Sequence, residues 1–84
     1  MDSVLEKLFD SPHRAKIIRL FLLNAGSAFS IEAISRRTRA KRPTARREAS
    51  LLEKIGFVKR RRGERAIAYE LNSHFQLMRA LKSL

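Results

Sequence analysis

Cysteine is absent from this chain of 84 residues, and it has no long hydrophobic run. Without cysteine the chain can form neither a disulfide bond nor a thiolate nucleophile. The longest apolar run, 17–23, is interrupted by Arg19 and is far shorter than the roughly 20 residues that a membrane span needs. Asp2 and Glu6 stand where a secretion signal would carry basic residues. We therefore expect no membrane contact and a cytoplasmic location.

Acidic residues and glycines are scarce, and their spacing gives no sign of catalysis. Most of the eight carboxylates are isolated from one another, so nothing pairs them for acid–base work. Gly26, Gly56 and Gly63 are too far apart to form a phosphate-binding loop. His13 and His74 have no cluster of acids beside them, which argues against a metal site. We therefore predict a protein that is not an enzyme, with no metal, no other cofactor and no small-molecule substrate.

Basic residues are abundant. Nineteen lysines and arginines stand against eight acids, which gives a formal net charge of +11. Such an excess opposes compaction through self-repulsion, so a polyanion that neutralises the charge is the natural partner. The length and the 44% hydrophobic content indicate one small globular domain spanning 1–84.

Caps, breaks and periodicity predict the order of the elements. Ser11 followed by Pro12 begins one helix, Ser30 caps another, and Gly56 ends a third. Phe29 lies in a very short strand, and Gly63 lies in the turn of a hairpin whose second strand alternates Ile67, Tyr69 and Leu71 inward. The pattern predicts helices at about 3–9, 11–23, 31–38, 42–55 and 74–84, and strands at 57–61 and 66–71. This order, mainly α with a small β-hairpin, predicts an α+β winged helix-turn-helix; the alternative is an unrelated small α+β fold.

The helix predicted over 43–55 has two different faces. At helical spacing its small and apolar residues turn inward, namely Ala45, Ala49, Leu52 and Ile55. Its outward residues have the chemistry that reads base edges in a major groove, since arginine can bond guanine bidentately and a threonine methyl can touch thymine. The predicted base-contacting residues are Thr44, Arg46, Arg47 and Ser50.

Two basic clusters flank this helix, and no acid occurs over 36–47. They are expected to contact the DNA backbone or a flanking minor groove. The helix predicted over 43–55 also lacks a Ser or Asn cap, so a DNA phosphate is expected to accept from its first N–H groups. The predicted backbone contacts are Arg36, Arg37, Arg39, Lys41, Arg42 and Pro43 before and at the helix, and Lys59, Arg60, Arg61, Arg62 and Arg65 around the hairpin.

The segment 43–58 resembles the recognition helix and following strand of MarR-like and ArsR-like winged-helix repressors. In those proteins a Pro-Thr or Ser-Thr pair opens the helix, an arginine follows three residues on, and a Leu-x-x-x-Gly-Leu/Phe-Val phrase closes it. Here these are Pro43-Thr44, Arg47 and Leu52–Val58. The resemblance extends from Leu5 through Tyr69. It implies a transcriptional regulator of the repressor superfamily that binds double-stranded DNA.

The same resemblance implies a homodimer, because such relatives pair through their terminal helices. The expected interface residues are Val4, Leu5, Leu8, Leu77, Met78, Leu81 and Leu84. Two other functions remain open on the residues alone. One is a nucleic-acid packaging or RNA-associated protein of low sequence specificity, and the other is a winged helix that serves as a protein-interaction module.

Overall fold

The computed structural model describes residues 11–63 and 66–75. In this part of the chain the helices are α1 (Pro12–Leu23), α2 (Ile31–Thr38) and α3 (Arg42–Lys54), and the strands are β1 (Ala28–Ser30), β2 (Val58–Arg62) and β3 (Ile67–Leu71). This arrangement confirms the predicted α+β winged helix-turn-helix. The helix predicted over 3–9 lies outside the described residues, as do residues 76–84.

Helix α1 begins and ends where its sequence predicts. The Ser11 hydroxyl accepts from the backbone N–H of Arg14, and Pro12 occupies the first turn. After Leu23, the Asn24 side chain donates to the carbonyl of Leu20 at 2.8 Å. Gly26 then takes a φ of 91°, a left-handed conformation that turns the chain into β1.

Helices α2 and α3 form the helix-turn-helix. The Ser30 hydroxyl caps α2 by accepting from the N–H of Ala33 at 3.1 Å. Arg39 follows α2 in the left-handed region, with a φ of 64°, and reverses the chain toward α3. Ala45 and Ala49 are fully buried, and their small side chains allow α3 to lie close to its neighbours.

The three strands form an antiparallel sheet in the order β1-β3-β2. The hairpin closes with the N–H of Gly63 donating to the carbonyl of Ala66 at 2.9 Å. Both long strands begin one residue later than predicted. Tyr69 and Leu71 are buried as predicted, but Ile67 is 41% exposed because it pairs with Arg62 beside the hairpin tip, away from the core.

The core is centred on aromatic rings stacked edge to face. The ring of Phe21 lies 5.5 Å from that of Phe29 and 6.4 Å from that of Phe57, and Phe57 lies 5.5 Å from Phe75. These contacts connect α1, β1, the segment after α3 and the segment after β3. Edge-to-face pairs of this kind favour one fixed arrangement of the core.

The helix predicted at about 74–84 lies outside the described residues except for its first two positions, which are not helical. Ser73 and His74 form a turn, and Phe75 has no regular structure. The Asn72 side chain accepts from the N–H of His74 at 3.1 Å, and the Asn72 carbonyl accepts from the N–H of Phe75 at 3.0 Å. This turn directs Phe75 into the core, where it is 6% exposed.

Candidate nucleic-acid interface

Helix α3 has the two faces that its spacing predicts. Ala45, Ala49 and Leu52 are completely buried against the domain. Arg46, Arg47 and Ser50 are exposed, whereas Thr44 and Ile55 are half-buried. The guanidinium groups on this helix are therefore available to a ligand, and they stand on a face that is fixed to the core from behind.

Sequence reasoning missed one residue of α3, Glu48, which is buried at 9% exposure. Its carboxylate accepts from Nε of Arg14 at 2.5 Å and from Nη2 of Arg14 at 3.4 Å. Arg14 is therefore half-buried, although it is a charged residue. The sequence does indicate that Glu48 is buried, because position 48 lies three residues after Ala45 and four before Leu52 and so falls on the inward stripe. A carboxylate on that stripe requires a buried cation as its partner.

The N-terminus of α3 has no side-chain cap among the described residues. Lys41 occupies the cap position and makes no side-chain hydrogen bond to the helix. Lys41, Arg42 and Pro43 are all exposed. Arg42 forms an ion pair with Glu32 of α2 at 3.2 Å, with both side chains more than 60% exposed. The positive end of α3 is thus open to solvent and flanked by cations.

The last turn of α2 and the residue that follows it extend the positive surface. Arg36, Arg37 and Arg39 are exposed. The guanidinium of Arg37 lies 5.4 Å from the centre of the Phe29 ring, which is a cation–π distance. The Phe29 ring therefore fixes the position of the Arg37 guanidinium, while the residue stays exposed to solvent.

The wing formed by β2 and β3 carries four exposed cations in the described residues, Lys59, Arg60, Arg61 and Arg62. Two of them have carboxylate partners. Arg60 pairs with Glu53 of α3 at 3.1 Å, and Arg61 donates to both carboxylate oxygens of Glu70 on the neighbouring strand, each at 3.1 Å. Arg65 lies outside the described residues.

An open groove of about 460 Å³ separates α3 from the wing. Because residues of both elements line it, the wing and the outward face of α3 belong to one surface. The lining residues are Ser30, Ile31, Glu32, Arg46, Ser50, Arg60, Ala66, Ile67 and Tyr69. The geometry therefore brings together two of the predicted base-contacting residues and one predicted backbone-contacting residue.

The described ranges 11–63 and 66–75 contain neither a metal-binding cluster nor a membrane-spanning helix. No group of three or more histidine, cysteine or acidic side chains is placed to hold a metal ion there. No helix in the same ranges is long and apolar enough to cross a membrane.

No family model matches the chain, and no curated protein sequence is similar to it. Its fold is similar to three solved structures. The transcriptional repressor BigR from Xylella fastidiosa superposes with a TM-score of 0.72 at 25% identity, covering 94% of this chain and 80% of that one. A predicted DNA-binding transcriptional regulator from E. coli gives a TM-score of 0.72 at 19% identity, with coverages of 98% and 85%.

The third structure is the ferric uptake regulator from Francisella tularensis with iron, which gives a TM-score of 0.68 at 23% identity and covers 75% of this chain. The present chain spans only 52% of that regulator's length. Taken with the helix-turn-helix and the hairpin, these likenesses give the chain the winged-helix fold of transcriptional regulators. They do not distinguish a MarR-like from an ArsR-like subtype.

Proposed function

We propose that this domain binds double-stranded DNA at particular sequences and regulates transcription, with α3 in the major groove and the wing on the flanking backbone or minor groove. One observation carries the proposal. Arg46, Arg47 and Ser50 are exposed on a helix whose opposite face is completely buried, and two of them share a groove with the wing. A fixed helix that presents free guanidinium groups is suited to read base edges.

In this proposal the outward residues of α3 have separate roles. Arg46 and Arg47 each donate to O6 and N7 of a guanine, which gives about 1 to 3 kcal/mol of discrimination per bidentate pair. Ser50 bonds a base edge, and the methyl group of the half-buried Thr44 contacts a thymine methyl.

The other cations position the domain on the duplex rather than read its sequence. A phosphate accepts from the first N–H groups of α3, where Lys41 and Arg42 reinforce the attraction. The remaining backbone contacts come from the end of α2, its connection to α3, the first turn of α3 and the hairpin. They are Arg36, Arg37, Arg39, Pro43, Lys59, Arg60, Arg61, Arg62 and Arg65.

Salt dependence tests the electrostatic part of the proposal. If each domain neutralises roughly five phosphates, a fourfold rise in salt weakens binding by about 10²- to 10³-fold. A flat salt response would remove the electrostatic argument. Duplex binding that weakens with salt would also exclude the protein-interaction module, because that alternative predicts no salt-dependent binding to a duplex.

Specificity is tested with three variants that each remove one arginine. A bound sequence is first selected from a random duplex pool, and affinities are then measured for that site and for bulk DNA. Arg47→Ala is expected to lower the preference for the selected site by about 5- to 150-fold, as the loss of about 1 to 3 kcal/mol requires. Arg62→Ala is expected to weaken both duplexes by similar factors.

Arg19→Ala is the matched control, because Arg19 is exposed on α1 and is not among the proposed DNA contacts. It is expected to leave both affinities nearly unchanged. If Arg47→Ala and Arg62→Ala reduce the preference equally, the division into reading and positioning residues is wrong. If selection yields no preferred sequence and double-stranded RNA competes as well as DNA, the packaging or RNA-associated alternative replaces the proposal.

We also propose that the domain acts without catalysis, as the regulators of similar fold suggest, and that it works in the cytoplasm as a single domain. A homodimer through Val4, Leu5, Leu8, Leu77, Met78, Leu81 and Leu84 stays a prediction, because these residues lie outside the described part of the chain. Twofold pairing implies a palindromic site with half-sites about one helical turn apart. Sedimentation showing a monomer at high concentration, both free and on DNA, would contradict it.

A further inference from the structure

A second groove, also of about 460 Å³, lies between the C-terminal halves of α1 and α2. It shares no lining residue with the groove between α3 and the wing. We call it the α1–α2 groove. Its lining residues are Lys16, Arg19, Leu20, Leu23, Arg37, Thr38 and Arg39.

The groove has one highly exposed apolar side chain. Leu23, at the last turn of α1, is 82% exposed, while the neighbouring Leu20 is half-buried. The Thr38 hydroxyl is already engaged, since it donates to the carbonyl of Ile34 at 2.7 Å and accepts from the N–H of Ala40. A single exposed leucine is common on protein surfaces. This one is distinguished by the cations around it.

Lys16, Arg19, Arg37 and Arg39 surround the leucines, and no acid lines the groove. In the part of the chain that the structure describes, Lys16, Arg19 and Arg39 have no carboxylate partner, and Arg37 is engaged only with the Phe29 ring. The groove between α3 and the wing differs in two respects, because Glu32 lines it and Arg60 at its edge pairs with Glu53. Among the residues that the structure describes, the α1–α2 groove therefore combines exposed apolar surface with positive charge that no carboxylate pairs.

These two properties select among the possible occupants. A second copy of this chain carries a net charge of +11, so the four cations of the groove would repel it. A DNA backbone would satisfy the cations, but phosphates and sugars offer little to cover a leucine. An acidic segment with apolar side chains satisfies both, because its carboxylates can pair with the rim while its apolar residues cover Leu20 and Leu23.

We propose that the α1–α2 groove is the docking site for an acidic amphipathic segment of a partner protein. The groove contains none of the proposed base-contacting residues of α3, but it shares Arg37 and Arg39 with the proposed backbone contacts. Leu23 supplies the apolar anchor. Lys16 and Arg19 supply charge on the side of α1.

The test uses a synthetic helical peptide with glutamates on one face and leucines on the other, titrated into the full chain and followed by backbone amide shifts and by affinity. A second peptide has serine in place of every leucine. The first is expected to shift the amides of α1 and the end of α2, and the second to bind about tenfold or more weakly, as the loss of buried apolar surface requires.

Two variants probe the groove, and each should fold because the side chain removed is exposed. Leu23→Ala and Arg19→Ala are each expected to weaken the first peptide by about 5- to 10-fold, since each removes an anchor or a charge contact. Arg62→Ala removes the same charge from the wing and is expected to change peptide affinity by less than about twofold, because Arg62 does not line the groove and the attraction of exposed charges that make no contact is weakened by salt.

The proposal is overturned if Arg62→Ala weakens the peptide as much as Arg19→Ala, or if Leu23→Ala has no effect, because binding would then be non-specific charge attraction. It is also overturned if Leu23→Ala lowers the affinity for a DNA duplex, or shifts the sedimentation of the chain toward monomer. These results would assign the groove to DNA or to a second copy. None of these outcomes depends on whether the domain has a preferred DNA sequence.

Discussion

The ion pair between Arg14 and Glu48 connects α1 to α3, and its removal should cost a large part of the domain's stability. The two side chains are 14% and 12% exposed. Breaking a fully buried pair by removing one partner costs about 3 to 5 kcal/mol, and a charged hydrogen bond contributes about 1.5 to 3 kcal/mol. Because water reaches part of this pair, we expect Glu48→Gln to lower the free energy of unfolding by about 2 kcal/mol.

That loss is large for a chain of 84 residues. Small domains have unfolding free energies of roughly 0.05 to 0.15 kcal/mol per residue. A loss of about 2 kcal/mol should therefore lower Tm by about 8 to 16 °C. Urea unfolding followed by circular dichroism measures the free energy, and thermal unfolding measures Tm.

A double-mutant cycle separates the pair from other effects of the substitutions. Arg14→Met and Glu48→Met each leave one charge without its partner from the other helix, whereas the double variant replaces both with apolar side chains. Such replacement is often neutral or stabilising, so the double variant is expected within about 1 kcal/mol of the unsubstituted chain. Glu53→Gln is the matched control on α3, because its pair with Arg60 is exposed and should contribute less than about 1 kcal/mol.

Additivity would refute this reasoning. If the double variant loses the sum of the two single losses, the two side chains do not stabilise each other. The reasoning would also be refuted if Glu48→Gln lowered the free energy of unfolding no more than Glu53→Gln does. A buried and an exposed carboxylate on this helix would then contribute equally to stability.

Two backbone substitutions test the left-handed positions. Arg39 has a φ of 64°, a left-handed conformation that glycine adopts without strain. Arg39→Gly should therefore raise the free energy of unfolding, measured by urea denaturation, by about 0.5 to 1 kcal/mol. A loss of stability would show that side-chain contacts of Arg39 outweigh the strain. Gly56 has a φ of 88°, and an added Cβ would lie 3.9 Å from Cδ1 of Phe75. Gly56→Ala should therefore lower the free energy of unfolding by about 1 kcal/mol through backbone strain, since the added Cβ meets no clash. The expected result is a Tm lower by about 4 to 8 °C, and an unchanged Tm would contradict this.

Local signals predicted the helices well. Ser30 capping α2, Pro12 beginning α1 and Gly56 following α3 are choices that the backbone makes within a few residues, so their chemistry can be recognised in the sequence alone. The bounds of α2 agree with the prediction, and those of α1 and α3 differ by one residue. The exposure of Arg46 and Arg47 follows from the helical period in the same way.

Features that depend on tertiary contacts were not predicted. Glu48 and Arg14 are 34 positions apart, and their pairing depends on how α1 crosses α3. Strand β1 was expected at Phe29, but nothing local indicated that it would pair with β3 rather than with β2. Strict alternation placed Ile67 in the core, although its position beside the hairpin tip leaves it without neighbours to cover it.

The carboxylates near the proposed DNA surface were also missed, and they change how its charge should be counted. Glu32, Glu53 and Glu70 hold Arg42, Arg60 and Arg61 in exposed or partly exposed ion pairs. Each pair is weak enough that a phosphate can replace the carboxylate. In such a replacement the arginine exchanges one anionic partner for another, so little favourable charge interaction is gained. These arginines therefore add less to sequence-independent affinity than Lys59 and Arg62 do. A basic surface restrained in this way favours contacts that depend on base identity, because non-specific binding grows with every uncompensated cation.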